Sequence, residues 1–154
     1  MRVALYQPDI PQNTGTVLRL AACLNVPVEI IEPAGFDFSE RALRRAALDY
    51  IESARITRWS SFAAFKAFAE ASGHRIVLLT ARSDAAYHSV TYRPSDILLA
   101  GRESAGVPEY VHEAAGLRVR IPMRENLRSL NVAVSLAMVL GEGLRQTGDF
   151  ANLA

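Results

Sequence analysis

Three segments of this 154-residue chain gather residue types that chemistry needs at close spacing. The tract Ile121-Pro122-Met123-Arg124-Glu125-Asn126-Leu127-Arg128-Ser129-Leu130-Asn131 runs directly into the apolar stretch Val132 to Leu140. A strand-like segment ends at a proline, a polar loop follows, and Ser129 stands where an N-cap would open a long helix. Backbone amides freed at a helix start can meet a polar ligand, while Ile121, Met123 and Leu130 supply an apolar lining. Near the start, Asn13 to Leu20 places Arg19 in an otherwise apolar helical stretch, where an arginine needs a partner or a solvent-facing side. Between them, Leu99 to Pro108 carries Gly101, Glu103 and Gly106, and its glycines permit close backbone approach to a flat ring. Taken singly, Asn13 also reads as a helix cap, Glu103 as a loop carboxylate and Asn131 as a first-turn residue of the last helix.

Two common nucleotide-binding patterns are excluded. The loop after the first strand, Gln7 to Gly15, holds no G-x-G-x-x-G, and Val107-Pro108 follow Gly106 where a phosphate-binding P-loop needs Lys and Ser or Thr.

The elements that must position these segments follow from periodicity. Val3 to Tyr6, Val28 to Ile31, Arg75 to Thr80, Asp96 to Ala100 and Leu117 to Ile121 are short, rich in Val, Ile and Leu, and separated by helical patterns. That alternation predicts an α/β fold with a mostly parallel sheet flanked by helices on both faces. Asn13 is expected to cap a helix through Leu24, and Asp37-Phe38-Ser39-Glu40 has the spacing of a capping box. Ser60 or Ser61 opens a helix whose Phe62, Phe65, Phe68 and Ala69 form a core stripe before Gly73 ends it. Pro108 starts another to about Ala115, and Ser129 the last and longest. The tail, Thr147 to Ala154, is expected to fray.

Length, the absence of linkers and repeats, and a 50% hydrophobic content predict one folded domain, residues 1–154. No apolar run is long enough to cross a bilayer, and the N-terminus lacks the core of a signal peptide, so a cytoplasmic protein is expected. Cys23 is the single cysteine, which excludes an internal disulfide and reads as a small buried hydrophobe. His74, His88 and His112 lack ligand spacing, so no metal site is expected. The net charge of +1 does not advertise a nucleic-acid binder. Distribution matters more than the sum: Arg41, Arg44 and Arg45 share one helix side, and Arg124 and Arg128 lie in the suspected site loop.

Asn13-Thr14-Gly15-Thr16-Val17-Leu18-Arg19-Leu20 and Leu99-Ala100-Gly101-Arg102-Glu103-Ser104-Ala105-Gly106-Val107-Pro108 resemble the first and second motifs of the SPOUT class of RNA methyltransferases. The Ile121 tract resembles the third, and the likeness runs from Tyr6 to about Gln146. Pro8 to Gly15, Ile31 to Phe36 and Arg44 to Tyr50 are similar to one small branch, the tRNA (cytidine/uridine-34)-2'-O-methyltransferases. The resemblance implies an α/β-knot with a deep C-terminal trefoil knot, a homodimer, and S-adenosylmethionine as cofactor. It places Leu79, Gly101, Ile121, Ser129 and Leu130 at the cofactor and Arg19, Asn13, Glu103 and Asn131 in the catalytic set. With tRNA as the partner that the resemblance implies, the clustered arginines Arg41, Arg44 and Arg45 and the loop arginines Arg124 and Arg128 are expected to contact its anticodon stem-loop.

A ribose 2'-hydroxyl is weakly acidic, and a guanidinium stays protonated, so Arg19 is expected to clamp the neighbouring phosphate rather than act as a literal base. This chain departs from its relatives at Val132-Ala133-Val134-Ser135, where a more polar Leu-Ser-Asn-Ala run is common, and at Gly141, where a tyrosine is common. No catalytic tyrosine is carried over. The alternatives are the same chemistry at another tRNA or rRNA position, an RNA-binding knot protein without turnover, and a small-molecule-binding α/β domain.

Overall fold

The computed structural model describes residues 1–37, 39, 50 and 52–153. Within them the strands are β1 (Arg2–Tyr6), β2 (Val28–Ile31), β3 (Ile56–Trp59), β4 (Arg75–Leu79), β5 (Asp96–Ala100) and β6 (Leu117–Val119). They form one sheet in the order β3-β2-β1-β5-β4-β6, and every pairing is parallel. The helices are α1 (Pro11–Cys23), α2 (Phe62–Ala71), α3 (Glu109–Ala114) and α4 (Val132–Thr147).

Side chains alternate across a strand, so each strand feeds two cores. Val3 and Leu5 of β1, Val77 of β4 and Leu98 of β5 pack with Val17 and Leu18 of α1 and Leu136 and Leu140 of α4. Ala4 and Tyr6, Ile76 and Leu78, and Ile97 and Leu99 face the other way, onto Phe62 and Phe65 of α2 and Val111 of α3. The sheet is therefore sandwiched between α1 with α4 and α2 with α3, as continuous apolar strands require. From β1 the chain runs outward through β2 and β3, then returns to β4 and β5 on the opposite side of β1. The boundary between β1 and β5 is the point where strand order reverses, and ligands in open parallel sheets lie outside the strand C-termini there.

Several expectations need correction. The edge strand β3 was not anticipated, because Ile56-Thr57-Arg58-Trp59 leaves two polar residues exposed and lacks the apolar run of a buried strand. Helix α1 begins at Pro11, a favoured first helical residue, so Asn13 sits inside the first turn and is not the cap. Asn131 rather than Ser129 caps α4, its Oδ1 accepting from the amides of Ala133 at 2.9 Å and Val134 at 3.3 Å. Strands β4 and β6 stop at Leu79 and Val119, short of Thr80 and Ile121. Cys23 is exposed. The tail does not simply fray, since Thr147 Oγ1 donates to Asp149 Oδ2 at 2.8 Å and a short 3-10 turn spans Asp149–Asn152. Ser61 does cap α2, accepting from the Ala64 amide, and Pro108 immediately precedes α3. The capping-box reading at residues 37–40 and the helix carrying Arg41, Arg44 and Arg45 fall wholly or partly outside the described residues.

One buried ion pair ties the sheet centre to the chain around it. Asp96, fully buried, accepts from Arg75 Nε at 2.8 Å, from Arg75 Nη2 at 2.7 Å and from the Arg93 amide at 2.8 Å. Asp96→Ala leaves the Arg75 guanidinium only its bond to the Thr91 carbonyl, at 2.9 Å, and should cost about 3–5 kcal/mol, read by urea unfolding. A loss under about 1 kcal/mol would remove this pair from the account of stability.

Candidate active site

The loops after β4, β5 and β6 enclose a cavity of about 680 Å³ at the C-terminal edge of the sheet. That volume suits a nucleotide-sized ligand. Leu79 ends β4 and Thr80, Ala81 and Arg82 come from the first loop, Gly101, Arg102, Glu103 and Val107 from the second, and Ile121, Met123, Arg128, Ser129 and Leu130 from the third. Asn13, Asn131 and His112 complete its wall. All five residues expected at the cofactor therefore line one space. Of the four expected catalytic residues, Asn13, Glu103 and Asn131 line it as well.

The third loop offers its backbone to a ligand. Among the described residues, Leu127 to Arg124 is the one backbone hydrogen bond donated from 121–130, at 3.3 Å. Amides and carbonyls left unpaired beside an apolar wall are what an adenine and its ribose can use, so the residues present fit the expected cofactor. The second loop is shaped by its own glycines. Gly106 has a φ of 62°, and its backbone pairs with Arg102 in both directions, at 2.8 and 3.1 Å. A Cβ on Gly101 would lie 2.8 Å from the Gly106 carbonyl carbon, so glycine at 101 is demanded first by this turn.

Side-chain hydrogen bonds join the three segments. Asn131 Nδ2 donates to Asn13 Oδ1 at 2.8 Å, and Asn13 Nδ2 donates to Glu103 Oε1 at 3.2 Å. Glu103 Oε2 accepts from the Asp9 amide at 3.2 Å. The Asp9 carboxylate accepts from the amides of Glu103 at 3.1 Å and Ser104 at 3.4 Å, and from the Ser104 hydroxyl. The two carboxyl groups titrate apart. Its hydrogen bond to Glu103 and the donors on Ser104 hold Asp9 down at about 2. Burial, then the neighbouring Asp9, pushes Glu103 above the usual glutamate range. Such divergence between neighbouring carboxyls is typical of functional sites.

Arg19 stands apart. It is exposed on α1, with its guanidinium over the Tyr50 ring at 4.8 Å, and it does not line the cavity. Arg124 is exposed in the third loop. Sequence reasoning missed Asp9, Arg82, Arg102 and His112. Asp9 carried a signal, because it lies between Pro8 and Pro11 immediately beyond a strand C-terminus. His112 carried none; it is buried, and burial followed by the charge of Arg82 holds its imidazole below the ordinary value. Among the described residues, no group of three or more His, Cys, Asp or Glu could hold a metal ion, and no helix is long and apolar enough to cross a membrane.

A parallel α/β sheet with a nucleotide-sized cavity at its C-terminal edge, walled by the loops after β4, β5 and β6, the last two tied to the start of α1 through Glu103, Asn13 and Asn131, fits a nucleotide-cofactor enzyme without a dinucleotide or P-loop fingerprint. The SpoU rRNA Methylase family matches residues 1–141. A protein of Beijerinckia indica named tRNA (cytidine(34)-2'-O)-methyltransferase is 58% identical over 151 residues, covering 98% of this chain and 94% of that protein. An Escherichia coli K12 protein of the same name is 38% identical, covering 96% and 94%. A solved structure described as giving insights into the 2-OH methylation of C/U34 on tRNA superposes with a TM-score of 0.86 at 41% identity, covering 94% of each chain. The chain belongs to the SpoU methylase family.

The cap and the inter-loop contact of Asn131 are separable. Asn131→Ala should cost about 1 kcal/mol in urea unfolding. Asn131→Ser keeps a capping oxygen and has nothing that reaches Asn13 Oδ1, so it should recover most of that loss. Equal losses in the two variants would assign the stability to the Asn13 contact instead.

Proposed function

We propose that this protein transfers the methyl group of S-adenosylmethionine to the ribose 2'-oxygen of the wobble nucleotide, cytidine or uridine 34, of tRNA, with leucine tRNAs as the substrates. The observation that carries this reading is the convergence of Leu79, Gly101, Ile121, Ser129 and Leu130 on one cavity, in a chain 58% identical to a protein named for that reaction.

When bound, S-adenosylmethionine supplies an electrophilic methyl carbon, so the protein's task is to hold an acceptor oxygen in line with it. The backbone of the Ile121 to Leu130 loop and the Gly101 turn would hold the cofactor's adenosine part. Asn13, Glu103 and Asn131 line the same cavity and would orient the acceptor ribose, their mutual bonds fixing which of their atoms are left free to do so. Arg19 acts from outside the cavity. Its fixed charge clamps the phosphate beside the reacting ribose and turns a phosphate oxygen toward the hydroxyl proton. Arg41, Arg44, Arg45, Arg124 and Arg128 contact the anticodon stem-loop, whose unstacked bases leave 2'-hydroxyls accessible. The protein works in the cytoplasm, where tRNA is found.

The working unit is a homodimer of one knotted domain per chain, spanning residues 1–154, with the third loop threaded to form a trefoil knot. The family supports the knot. The dimer is supported by an outward stripe on α4: Val134 is 49% exposed and Met138 37% exposed, and a Cβ on Gly141 would meet nothing within 4 Å. Residues 134, 138 and 141 share a helix face by their spacing. Exposed apolar side chains at helical spacing suit a two-fold interface, and a second subunit brings an Arg19 toward each cavity.

Nuclease mapping of leucine tRNA methylated in vitro tests the assignment. The label should appear on nucleotide 34, and a 2'-O-methyl group found only outside the anticodon loop would defeat it. Arg19→Ala should lower turnover about 100-fold or more while cofactor affinity, measured by calorimetry, stays near wild type. Retention of more than half the turnover would remove Arg19 from the mechanism. Light scattering should return a dimer, and Val134→Glu should shift it toward monomer; a wild-type monomer with full activity would contradict the interface.

A further inference from the structure

Asp9 is not among the residues to which the likeness assigns a role, yet it makes more polar contacts with the second loop than any other side chain of the first segment. Its carboxylate accepts from two successive amides, Glu103 at 3.1 Å and Ser104 at 3.4 Å, and from the Ser104 hydroxyl. Its own amide donates back to Glu103 Oε2 at 3.2 Å. The loop after β1 and the loop after β5 are thus clamped reciprocally, across the point where strand order reverses.

The clamp has a rigid base. Pro8 and Pro11 flank Asp9 and fix two backbone angles. The Gly35 amide donates to the Pro8 carbonyl at 2.8 Å, and a Cβ on Gly35 would lie 2.7 Å from the Asp9 Cβ. Gly35 therefore closes on Asp9 from behind, and the carboxylate has little room to turn away from Glu103.

We propose that Asp9 is a positioning residue for methyl transfer: it sets the place of Glu103, and through the contacts Glu103–Asn13 and Asn13–Asn131 it holds the acceptor wall against the cap of α4. This rests on the methyltransferase reading of the cavity. Asp9 does not line the cavity and acts through Glu103. Its removal misplaces the side chains of Glu103 and Asn13, whereas among the described residues the Ile121 to Leu130 loop makes no bond to Asp9 and the Gly101 turn keeps its own Arg102–Gly106 pairing. Turnover and cofactor binding should consequently separate.

The test is a double-mutant cycle on the full chain with tRNA as substrate, measuring kcat, KM and cofactor affinity. Asp9→Ala should lower kcat about 10- to 100-fold, the size of effect a small misplacement produces. Cofactor affinity should change by less than about threefold, and Asp9→Glu, which restores a carboxylate, should recover most of kcat. In a Glu103→Gln background, Asp9→Ala should add less than about twofold, because the residue through which it acts is already altered. Turnover of Asp9→Ala within about twofold of wild type, or fully additive losses, would overturn the proposal. Should Asp9→Ala not fold, Asp9→Asn keeps the volume and one acceptor oxygen and is read by the same criteria. Amide hydrogen exchange reads the clamp without turnover. Exchange at Glu103 and Ser104 should quicken in Asp9→Asn, whether or not the wild type methylates nucleotide 34, and unchanged exchange would overturn the clamp itself.

Discussion

The donation from Asn131 Nδ2 to Asn13 Oδ1, at 2.8 Å, is the contact on which the site depends. It joins residues 118 apart in the chain, one in the first turn of α1 and the other at the cap of α4. An asparagine amide has two donors and one two-lone-pair acceptor, so each residue can serve two masters at once. Asn131 caps α4 with its oxygen and reaches Asn13 with its nitrogen. Asn13 accepts from Asn131 with its oxygen and reaches Glu103 with its nitrogen. Reversal of either amide would set donor against donor, so the whole relay has one orientation, fixed at one end by two helix amides and at the other by a carboxylate.

The relay explains how loops from distant parts of the sheet form one cavity wall. The third loop makes little backbone bonding of its own, and α4 anchors its end by burying Ala133, Leu136 and Leu140 against the sheet. The loop after β1 is anchored by α1 on the same face, and α1 and α4 pack together. Apolar packing places the helix starts near one another; the asparagines then specify the register between them. Directional bonds of modest strength decide geometry here, because the hydrophobic term is large but does not distinguish one rotation of a side chain from another.

Much of this was legible in the sequence. Alternating apolar strands and helical stripes revealed the layered fold, and five of the six strands, because burial on both faces leaves an unbroken Val, Ile and Leu signature. Strand β3 escaped because an edge strand need not be apolar on both sides, and Arg58 sits on its exposed face, paired with Glu32. The caps were misassigned for a related reason. Several residues near each helix start have capping chemistry, and the choice among Ser129 and Asn131, or Asn13 and the Pro11 start, is made by tertiary partners the local sequence does not display. The motifs singled out residues that line one cavity, whereas Asp9 and His112 became visible only once the loops and α3 were placed.

A crystal structure with S-adenosylhomocysteine bound would test most directly the claim that these loops form one cofactor site locked to the acceptor wall. The adenine should lie between Gly101 and the Ile121 to Leu130 loop, held by backbone groups, with the Asn131–Asn13–Glu103 relay intact. Product bound elsewhere, or bound there with Asn13 and Asn131 separated, would contradict it.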